Sequence, residues 1–307
     1  MVPPAGGTRV DVDGHELTLT NLDKVLYPAA GTTKGEVIGY YQAIAPALLA
    51  HLAGRPLTLK RYPNGVDASY FYEKRCPSHR PGWLATVAVP SERSKADVPY
   101  CVIENRAGLV WVANLASLEL HPSLSMADRI EQPTTVVFDL DPGAPATIVE
   151  CARVGLELRE VFDQLGLECF AKTSGSKGMQ LYLPLNSEVT YERTKPFALA
   201  VAQLLERRRP ELVVSSMKKE LRTGKVLIDW SQNDEHKTTI CVYSLRARPR
   251  PTVSTPLTWD EVEHVASTGE AASVEFVAGE VVARVREMGD LFAPVATLEQ
   301  ELPDLLL

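Results

Sequence analysis

One apolar run of the chain ends in two alternating acids, Val136-Val137-Phe138-Asp139-Leu140-Asp141-Pro142-Gly143. Because side chains of a strand point alternately to its two faces, Asp139 and Asp141 project to the same side, and Val137, Phe138 and Leu140 are expected to be buried. Two carboxylates held ~4 Å apart repel each other by ~1 kcal/mol in water, and by more near a protein surface. A hard divalent cation neutralises them best. The alternative is a solvated strand end with two turn-forming acids.

Periodic apolar positions elsewhere predict further helices and strands. Helices are predicted from the cap at Thr32-Thr33 to Gly54, and over 146–165, 191–209, 258–264 and 278–291. Strands are predicted over 10–19, as a pair around Asp13-Gly14, and over 56–62, 102–103, 109–112, 168–172, 179–185 and 225–230. Asn21 is predicted to cap a short helical turn that Pro28 ends.

Composition limits the compartment and the role of the cysteines. The 307 residues are 45% hydrophobic, and no window approaches a membrane span or a secretory signal. We therefore expect a soluble, cytoplasmic protein without a membrane partner. The five cysteines are scattered, odd in number and never in Cys-x-x-Cys spacing. This pattern predicts reduced core residues rather than disulfides or a zinc site.

Charge is distributed unevenly along the chain. The net charge of −7 argues against a nucleic-acid binder. Residues 206–250, however, hold eleven Lys and Arg against six Asp and Glu, a local excess of five positive charges. Since local charge steers a polyanion, this segment favours binding to nucleic acid.

A third acid and a glycine-containing turn extend the candidate site. Asp229 ends the predicted strand 225–230, as Asp141 ends its own. Between two other strands lies Thr173-Ser174-Gly175-Ser176-Lys177-Gly178, where glycines let backbone N–H groups approach a phosphate closely, although the order is not that of a Walker loop. Three carboxylates, this turn and downstream arginines form the minimum set for two-metal phosphoryl transfer, with cations ~3.5–4 Å apart.

Two lysines and an aromatic run are further candidates for contact with nucleic acid. Lys24 and Lys34 flank a passage from loop to helix, where they either are solvated surface residues or hold a phosphate. Three adjacent aromatics, Tyr70-Phe71-Tyr72, cannot all face inward on a strand. At least one ring is therefore expected to be exposed beside Lys74, as suits base stacking.

Together these motifs resemble the polymerase domain of bacterial ligase D, a member of the archaeo-eukaryotic primase superfamily that acts in nonhomologous end joining. The resemblance spans roughly residues 18 to 250, in the family's order. It is carried by Asn21 to Pro28, Gly54 to Gly65, Phe71 to Lys74, Phe138 to Gly143, Thr173 to Gly178, Ile228 to Asn233 and Tyr243 to Arg246. It implies an α+β primase-polymerase fold with a mixed central β-sheet flanked by helices. We expect one such domain over 10–295, a disordered N terminus over 1–9 and a tail over 296–307.

The resemblance also implies roles for individual residues. Asp139, Asp141 and Asp229 would bind two metal ions, Mn²⁺ or Mg²⁺, with Mn²⁺ favoured. The incoming ribo- or deoxynucleoside triphosphate would contact His121, Ser174, Lys177, Gln180, Arg222, Gln232 and Arg246, with Phe71 and Tyr72 at its base and the template. Lys24 and Lys34 would bind the 5′-phosphate of gapped DNA. Residues 90–98 and 210–221 would be mobile loops that contact DNA.

The implied activity is template-dependent addition of nucleotides, preferably ribonucleotides, to a primer 3′-hydroxyl at gaps, overhangs and broken ends. Ku and a separate DNA ligase are the partners it suggests, and the nucleoid is the location. The family usually has His where this chain has Gln180. Gln donates a neutral hydrogen bond but cannot become a cation, so weakened or altered activity is expected.

Two other functions compete with this interpretation. Val137 to Asp141 also resembles the first motif of haloacid-dehalogenase-type phosphatases. That motif has Thr or Val two positions after its second Asp, where this chain has Gly143. A phosphatase would also leave Asp229 and Arg246 unexplained. A non-enzymatic alternative is a module that binds the 5′-phosphorylated ends of gapped DNA and has lost catalysis through Gln180.

Overall fold

The computed structural model describes residues 7–90 and 95–303. In chain order its strands are β1 (Thr8–Val12), β2 (His15–Leu19), β3 (Val25–Tyr27), β4 (Thr32–Thr33), β5 (Leu57–Arg61), β6 (Phe71–Glu73), β7 (Thr86–Val89), β8 (Val98–Cys101), β9 (Ser117–Pro122), β10 (Thr135–Pro142), β11 (Phe170–Thr173), β12 (Met179–Pro184), β13 (Val213–Val214), β14 (Val226–Asp229) and β15 (Pro256–Leu257). Its α-helices are α1 (Lys34–Leu52), α2 (Arg106–Asn114), α3 (Ile148–Gln164), α4 (Tyr191–Arg208), α5 (Trp259–Thr268), α6 (Ala278–Met288) and α7 (Ala293–Thr297). Short 3-10 helices lie at Lys219–Leu221, Trp230–Gln232 and Ala271–Val274.

The central sheet has the strand order β13-β14-β10-β12-β11-β15. β13 runs parallel to β14, and every other neighbouring pair is antiparallel. A second sheet has the order β6-β5-β8-β7, with β9 also paired to β5. The predicted α+β class with a mixed central sheet is therefore confirmed.

The two faces of the central sheet belong to different hydrophobic clusters. Val136, Phe138 and Leu140 are fully buried in a cluster that also contains apolar residues of α3, α4 and α5. Val137 belongs to the other cluster, which contains α1, α2 and the second sheet. Since residues two apart share a face, Asp139 and Asp141 continue the face of Val137. The acids consequently face the second sheet rather than the helical layer.

Three predicted elements were wrong. Residues 102–103, predicted as a strand, lie just past β8, which ends at Cys101. Residues 109–112 form part of helix α2, whose first turn is capped by Asn105 through a hydrogen bond from the Gly108 N–H. A short, wholly apolar run cannot be assigned to strand or buried helix by periodicity, so the pattern misled. The helical turn predicted from Asn21 to Pro28 instead contains strand β3, which pairs with β4.

Two expectations about the chain's chemistry and order also require correction. Cys76 and Cys101, expected to be reduced, form a disulfide, while Cys151, Cys169 and Cys241 are free and buried. Spacing along the sequence could not reveal this pair because β8 brings Cys101 beside the loop that holds Cys76. Thr8 and Arg9, assigned to a disordered terminus, pair with β2. Residues 1–6 and 304–307 lie outside the described residues, and the domain boundaries stay a prediction.

Gly143, just after the acid-bearing strand β10, lies in very close backbone contact with residues 222–225, which lead into β14. Its N–H donates to the Lys225 carbonyl at 2.8 Å, and its carbonyl accepts from the Gly224 N–H at 3.0 Å. A Cβ at this position would stand 1.9 Å from the Arg222 carbonyl oxygen. We therefore predict that Gly143→Ala lowers the free energy of unfolding by about 2 kcal/mol or more, because backbone must move.

The matched control is Gly279→Ala in helix α6, where an added Cβ would meet nothing within 4 Å. It should be neutral or slightly stabilising, since Ala favours helix over Gly. Urea unfolding followed by circular dichroism checks both variants. Equal stability of the two would contradict the close approach.

Candidate active site

A row of polar side chains crosses four strands of the central sheet. Asp139 on β10 lies opposite Asp229 on β14 and opposite Gln180 on β12, and Gln180 in turn lies opposite Lys172 on β11. Directly paired residues of antiparallel strands share one face of the sheet, with Cβ atoms about 4.5–5.5 Å apart. We call Asp229, Asp139, Gln180 and Lys172 the cross-strand row. Asp141 lies on the same face, two residues beyond Asp139.

Asp139 and Asp141 have raised pKa values. Burial raises the pKa of Asp139, and the Asp141 carboxylate raises it further. Burial and the Asp229 carboxylate likewise raise the pKa of Asp141, against the opposing charges of Arg222 and Arg246. Crowded, desolvated carboxylates of this kind favour either a proton or a cation, and oxygen ligands suit Mg²⁺ and Mn²⁺.

Asp229 is held by its own following turn. Its Oδ1 accepts hydrogen bonds from the Ser231 N–H at 3.0 Å and the Ser231 hydroxyl at 2.5 Å, and its Oδ2 accepts from Gln232 Nε2 at 3.0 Å. Among residues 7–90 and 95–303, no group of three His, Cys, Asp or Glu side chains is disposed to hold a metal ion as it stands. The donor types and their shared face fit a hard cation, whereas the orientation of Asp229 is that of a hydrogen-bonded cap.

A cavity of about 500 Å³ opens over the acid-bearing face. It brings together most of the residues predicted for the site, namely Tyr72, His121, Asp139, Asp141, Ser174, Lys177, Gln180, Gln232 and Arg246. The same wall also includes Lys74 and Ser176 from the motifs described above, and Thr58, His236, Lys237 and Thr239, which sequence patterns did not single out. The cavity is therefore both acidic at its floor and basic along its sides.

The Ser174–Gly178 turn forms one side of this cavity and closes on itself. Ser174 N–H donates to the Gly178 carbonyl at 2.9 Å, and the Ser174 hydroxyl accepts from the Gly178 N–H at 3.2 Å. Gly175 has φ +67 and lies so close to Val253 that a side chain would clash. Lys177 is exposed at the rim of the cavity. The turn thus has the fixed backbone that a phosphate cradle needs.

A buried carboxylate that the sequence did not indicate joins two cations and an imidazole, and burial lowers the pKa of that imidazole, His121. Glu119 lies 3.0 Å from His121 Nε2, 3.4 Å from Lys60 Nζ and 3.5 Å from Arg246 Nε. Burial alone would raise the pKa of Glu119, but the hydrogen bond from His121 and the charges of Arg246, His121 and Lys60 outweigh it and lower the pKa to about 2. Glu119 therefore fixes two residues predicted to contact nucleotide. Its only sequence signal was its position two residues before His121, on the same strand face.

The aromatic run divides between two faces. Tyr70, Phe71 and Tyr72 are 52%, 43% and 57% exposed, which confirms the expectation of an exposed ring. Tyr72 lines the cavity and meets His121 edge-on at 6.0 Å between ring centroids. Phe71 instead lies beside the Arg61 guanidinium, 5.1 Å from it. The two rings therefore cannot act as a pair on one surface.

Lys24 and Lys34 lie outside the cavity in a basic cluster of their own. The charges of Lys24 and Arg61, added to burial, lower the pKa of Lys34 to about 8. Lys34 Nζ donates to the Thr20 carbonyl at 2.6 Å, and Lys24 Nζ donates to Asn64 Oδ1 at 2.9 Å. Because Thr20 and Asn64 are neutral, these hydrogen bonds do not compensate the positive charges of Lys34 and Lys24.

Three other predicted features lie apart from the cavity wall. Arg222 donates to the Met217 carbonyl at 2.6 Å and reaches Asp141 only through its charge. The predicted loop 210–221 contains strand β13 and the 3-10 helix Lys219–Leu221. The other predicted loop, 90–98, falls partly outside the described residues, at 91–94.

Fold and cavity together define a primase-polymerase domain, a class of nucleotidyltransferase. Residues 33–292 match the family model for the LigD primase-polymerase domain, and the chain belongs to that family. Polymerase domains of this class work with divalent metal ions. Membership of the family removes the phosphatase alternative.

Relatives and a solved structure agree with this assignment. The chain is 46% identical over 283 residues to the multifunctional non-homologous end joining protein LigD of Mycolicibacterium smegmatis, covering 92% of this chain and 36% of that protein. It is 31% identical over 276 residues to the bifunctional LigD of Bacillus subtilis, covering 89% and 43%. The polymerase domain from Mycobacterium tuberculosis Ligase D, solved in complex with DNA, superposes with a TM-score of 0.85 at 40% identity, over 92% of this chain and 99% of that one.

The chain therefore spans well under half the length of these curated relatives. Over the residues that the structure describes, none of the helices has the length and apolar character needed to span a membrane.

We predict that Glu119→Gln destabilises the protein by roughly 3 kcal/mol at pH 7, because it leaves the partly buried cations Lys60 and Arg246 without their carboxylate and weakens the partner of the His121 hydrogen bond. The pKa of Glu119 is lowered to about 2 in the folded state from an ordinary 4.5, so its stabilisation is present above about pH 4.5 and is lost as pH falls toward 2. The gap between parent and variant should consequently shrink below pH 4.5. Urea unfolding at pH 7 and pH 3.5 measures it.

Glu16→Gln is the control, since its carboxylate is 70% exposed in a surface pair with Arg9. Surface pairs contribute about 0–1 kcal/mol. A Glu119→Gln variant as stable as Glu16→Gln at pH 7 would contradict the role assigned to the buried carboxylate.

Proposed function

We propose that this chain is a template-dependent polymerase that adds nucleotides, preferably ribonucleotides, to a primer 3′-hydroxyl at gaps and broken DNA ends by two-metal nucleotidyl transfer. The observation that carries the proposal is that Asp139, Asp141 and Asp229 share one sheet face, with Asp139 and Asp141 lining a cavity that has basic walls and Asp229 directly opposite Asp139. The names of the relatives, and the DNA bound in the solved neighbour, support a role in end joining or gap-filling repair.

Asp139, Asp141 and Asp229 are the proposed ligands of two divalent ions, Mn²⁺ in preference to Mg²⁺. Such ions supply charge stabilisation to the attacking and leaving oxygens. Asp229 would exchange hydrogen bonds with Ser231 or Gln232 for a metal bond, and the Gln232 amide would then be free for the triphosphate. The raised pKa values of Asp139 and Asp141 support this assignment, because cation binding relieves the repulsion that raises them.

The nucleotide is proposed to lie in the 500 Å³ cavity. Ser174 and Lys177 on the closed turn, with Arg246 beside it, would hold the triphosphate. Arg246 Nη1 donates to the Ser174 carbonyl at 2.9 Å, which couples the guanidinium to that turn. His121 and Gln180 are the proposed further contacts, together with Gln232 and Arg222. Tyr72 would stack on the base inside the cavity, and Phe71 would contact the template outside it.

DNA is proposed to be held through its 5′-phosphate by Lys24 and Lys34. Their cluster with Arg61 lies next to Phe71, so a template base on that ring and a phosphate on the lysines would occupy neighbouring positions. The proposed substrates are 5′-phosphorylated gaps, overhangs and ends, with nucleoside triphosphates. Ku and a separate DNA ligase are proposed partners, and the cytoplasmic nucleoid is the proposed location.

We predict that Asp139→Asn lowers the rate of nucleotide addition by about 100-fold or more, because it removes the charge at the centre of the metal site. The assay is extension of a labelled primer on a 5′-phosphorylated gap with Mn²⁺, comparing ribo- with deoxynucleotides. Asp163→Asn on the exposed side of α3 is the control and should extend like the parent.

Unchanged extension by Asp139→Asn would show that the metal assignment is wrong. A parent that binds the gap but adds nothing with Mn²⁺ or Mg²⁺ would contradict the polymerase and leave the end-binding module.

Replacing Lys34 by Met should lower the preference for a 5′-phosphorylated over an unphosphorylated gap by about tenfold, since a desolvated charge-assisted contact is lost. Burial lowers the pKa of Lys34 to about 8, so its charge is present below pH 8 and lost above it. The parent's preference should accordingly be larger at pH 7 than at pH 9. Fluorescence anisotropy with the two DNAs measures both effects.

Arg153→Ala on helix α3 removes one surface cation, paired with Glu150, and serves as control. It should leave the ratio of the two affinities unchanged. A Lys34→Met variant that keeps the parent's ratio at both pH values would refute the phosphate assignment.

A further inference from the structure

Lys172 is a wholly buried lysine to which the proposed chemistry gives no role. Its ammonium donates to Gln180 Oε1 at 2.5 Å, to Ser254 Oγ at 2.7 Å and to the Ile240 carbonyl at 3.2 Å. None of these three partners carries a charge. Burying an ammonium among neutral acceptors costs free energy that an apolar side chain would not. Its presence at the end of the cross-strand row therefore needs an explanation.

Lys172 determines which way the Gln180 carboxamide points. Burial lowers the pKa of Lys172 to about 7, and its protonated form can only donate, so the atom of Gln180 beside the ammonium is the oxygen. The usual ambiguity between amide oxygen and nitrogen is thereby removed, because the opposite orientation would set an NH₂ group against an ammonium. The Gln180 nitrogen is left for the other side, where Asp139 lies directly opposite on β10, and hydrogen bonding with Gln180 counteracts the rise in the pKa of Asp139. The row thus reads ammonium, carboxamide, carboxylate.

This geometry restrains an acid that is otherwise surrounded by like charge. Asp139 lies between Asp229 and Gln180 across the sheet, and Asp141 lies two residues away. Gln180 supplies the donor to Asp139 within the row, and the contact of its oxygen with Lys172 favours the orientation in which it does so. Gln180 is itself 3% exposed, so water has little access to replace either contact. Residues that hold metal ligands in this way commonly contribute about 10–100-fold to metal affinity.

We propose that Lys172 is a positioning residue of the metal site, which locks Gln180 as a hydrogen-bond donor to Asp139 and so orients that carboxylate for a divalent cation. The proposal rests on the proposed function, since it presupposes that Asp139 binds metal. Gln180 itself does not titrate, and its orientation toward Asp139 depends on Lys172, which lies one strand further away.

The test measures Mn²⁺ binding to the full chain by electron paramagnetic resonance of the free ion, without nucleotide or DNA. Lys172→Met should weaken Mn²⁺ binding about tenfold, and Gln180→Leu should weaken it to a similar extent. Because Lys172 acts through Gln180, the double variant should bind no more weakly than Gln180→Leu alone. Lys172→Gln keeps an N–H donor for Gln180 and should stay within about threefold of the parent.

Ser254→Ala is the structural control, because it removes another acceptor of Lys172 and leaves the contact with Gln180 in place. It should lower the thermal unfolding temperature without changing Mn²⁺ affinity. A Lys172→Met variant that binds Mn²⁺ like the parent overturns the proposal, as does a double variant in which the two losses multiply. If Lys172→Met does not fold, Gln180→Leu decides, and parental affinity there overturns the proposal.

The possible results distinguish the metal site itself from the role of Lys172. A parent that binds no Mn²⁺ overturns the proposed metal site, and this proposal with it. A parent that binds Mn²⁺ and adds nucleotides, with variants at 172 and 180 that bind equally well, overturns only the role of Lys172.

Discussion

Repulsion among carboxylates on one sheet face is the constraint around which this molecule is arranged. The register of β10 with β14 sets Asp139 opposite Asp229, and the two-residue period of β10 adds Asp141 to the same face. The opposite face of β10 is wholly apolar and packs on helices α3 to α5. The strand therefore cannot rotate to separate the acids without exposing these apolar residues. The fold therefore concentrates negative charge where it must be offset by other groups.

The offsetting groups come from distant parts of the chain. Arg222 and Arg246 oppose the charge of Asp141, while Lys172 opposes that of Asp139. Arg246 is in turn shared with Glu119, a buried carboxylate that also engages His121 and Lys60. Cations near the acids are thus held by hydrogen bonds and ion pairs rather than left mobile. Such preorganisation is what transfer of a highly charged phosphoryl group requires.

Sequence patterns predicted the parts of this arrangement that depend on local period. Alternation gave the shared face of Asp139 and Asp141, and the glycines of the Ser174–Gly178 turn gave its close backbone. Patterns could not predict the long-range strand register that places Gln180 and Lys172 in the cross-strand row. They also could not predict the disulfide between Cys76 and Cys101. Glu119 was missed because the residue type alone does not distinguish a buried acid from an acid at the surface. The apolar run 109–112 misled because burial on all sides erases the period that separates helix from strand.

The central claim is that these carboxylates bind divalent cations next to the nucleotide. Its most direct measurement is a crystal structure of the chain soaked with Mn²⁺ and a non-hydrolysable nucleoside triphosphate, with anomalous scattering recorded for manganese. We expect anomalous peaks in coordination contact with Asp139 and Asp141, and a triphosphate against the Ser174–Gly178 turn. Manganese bound elsewhere, with both carboxylates free of it while the nucleotide occupies the cavity, would contradict cation binding by these acids.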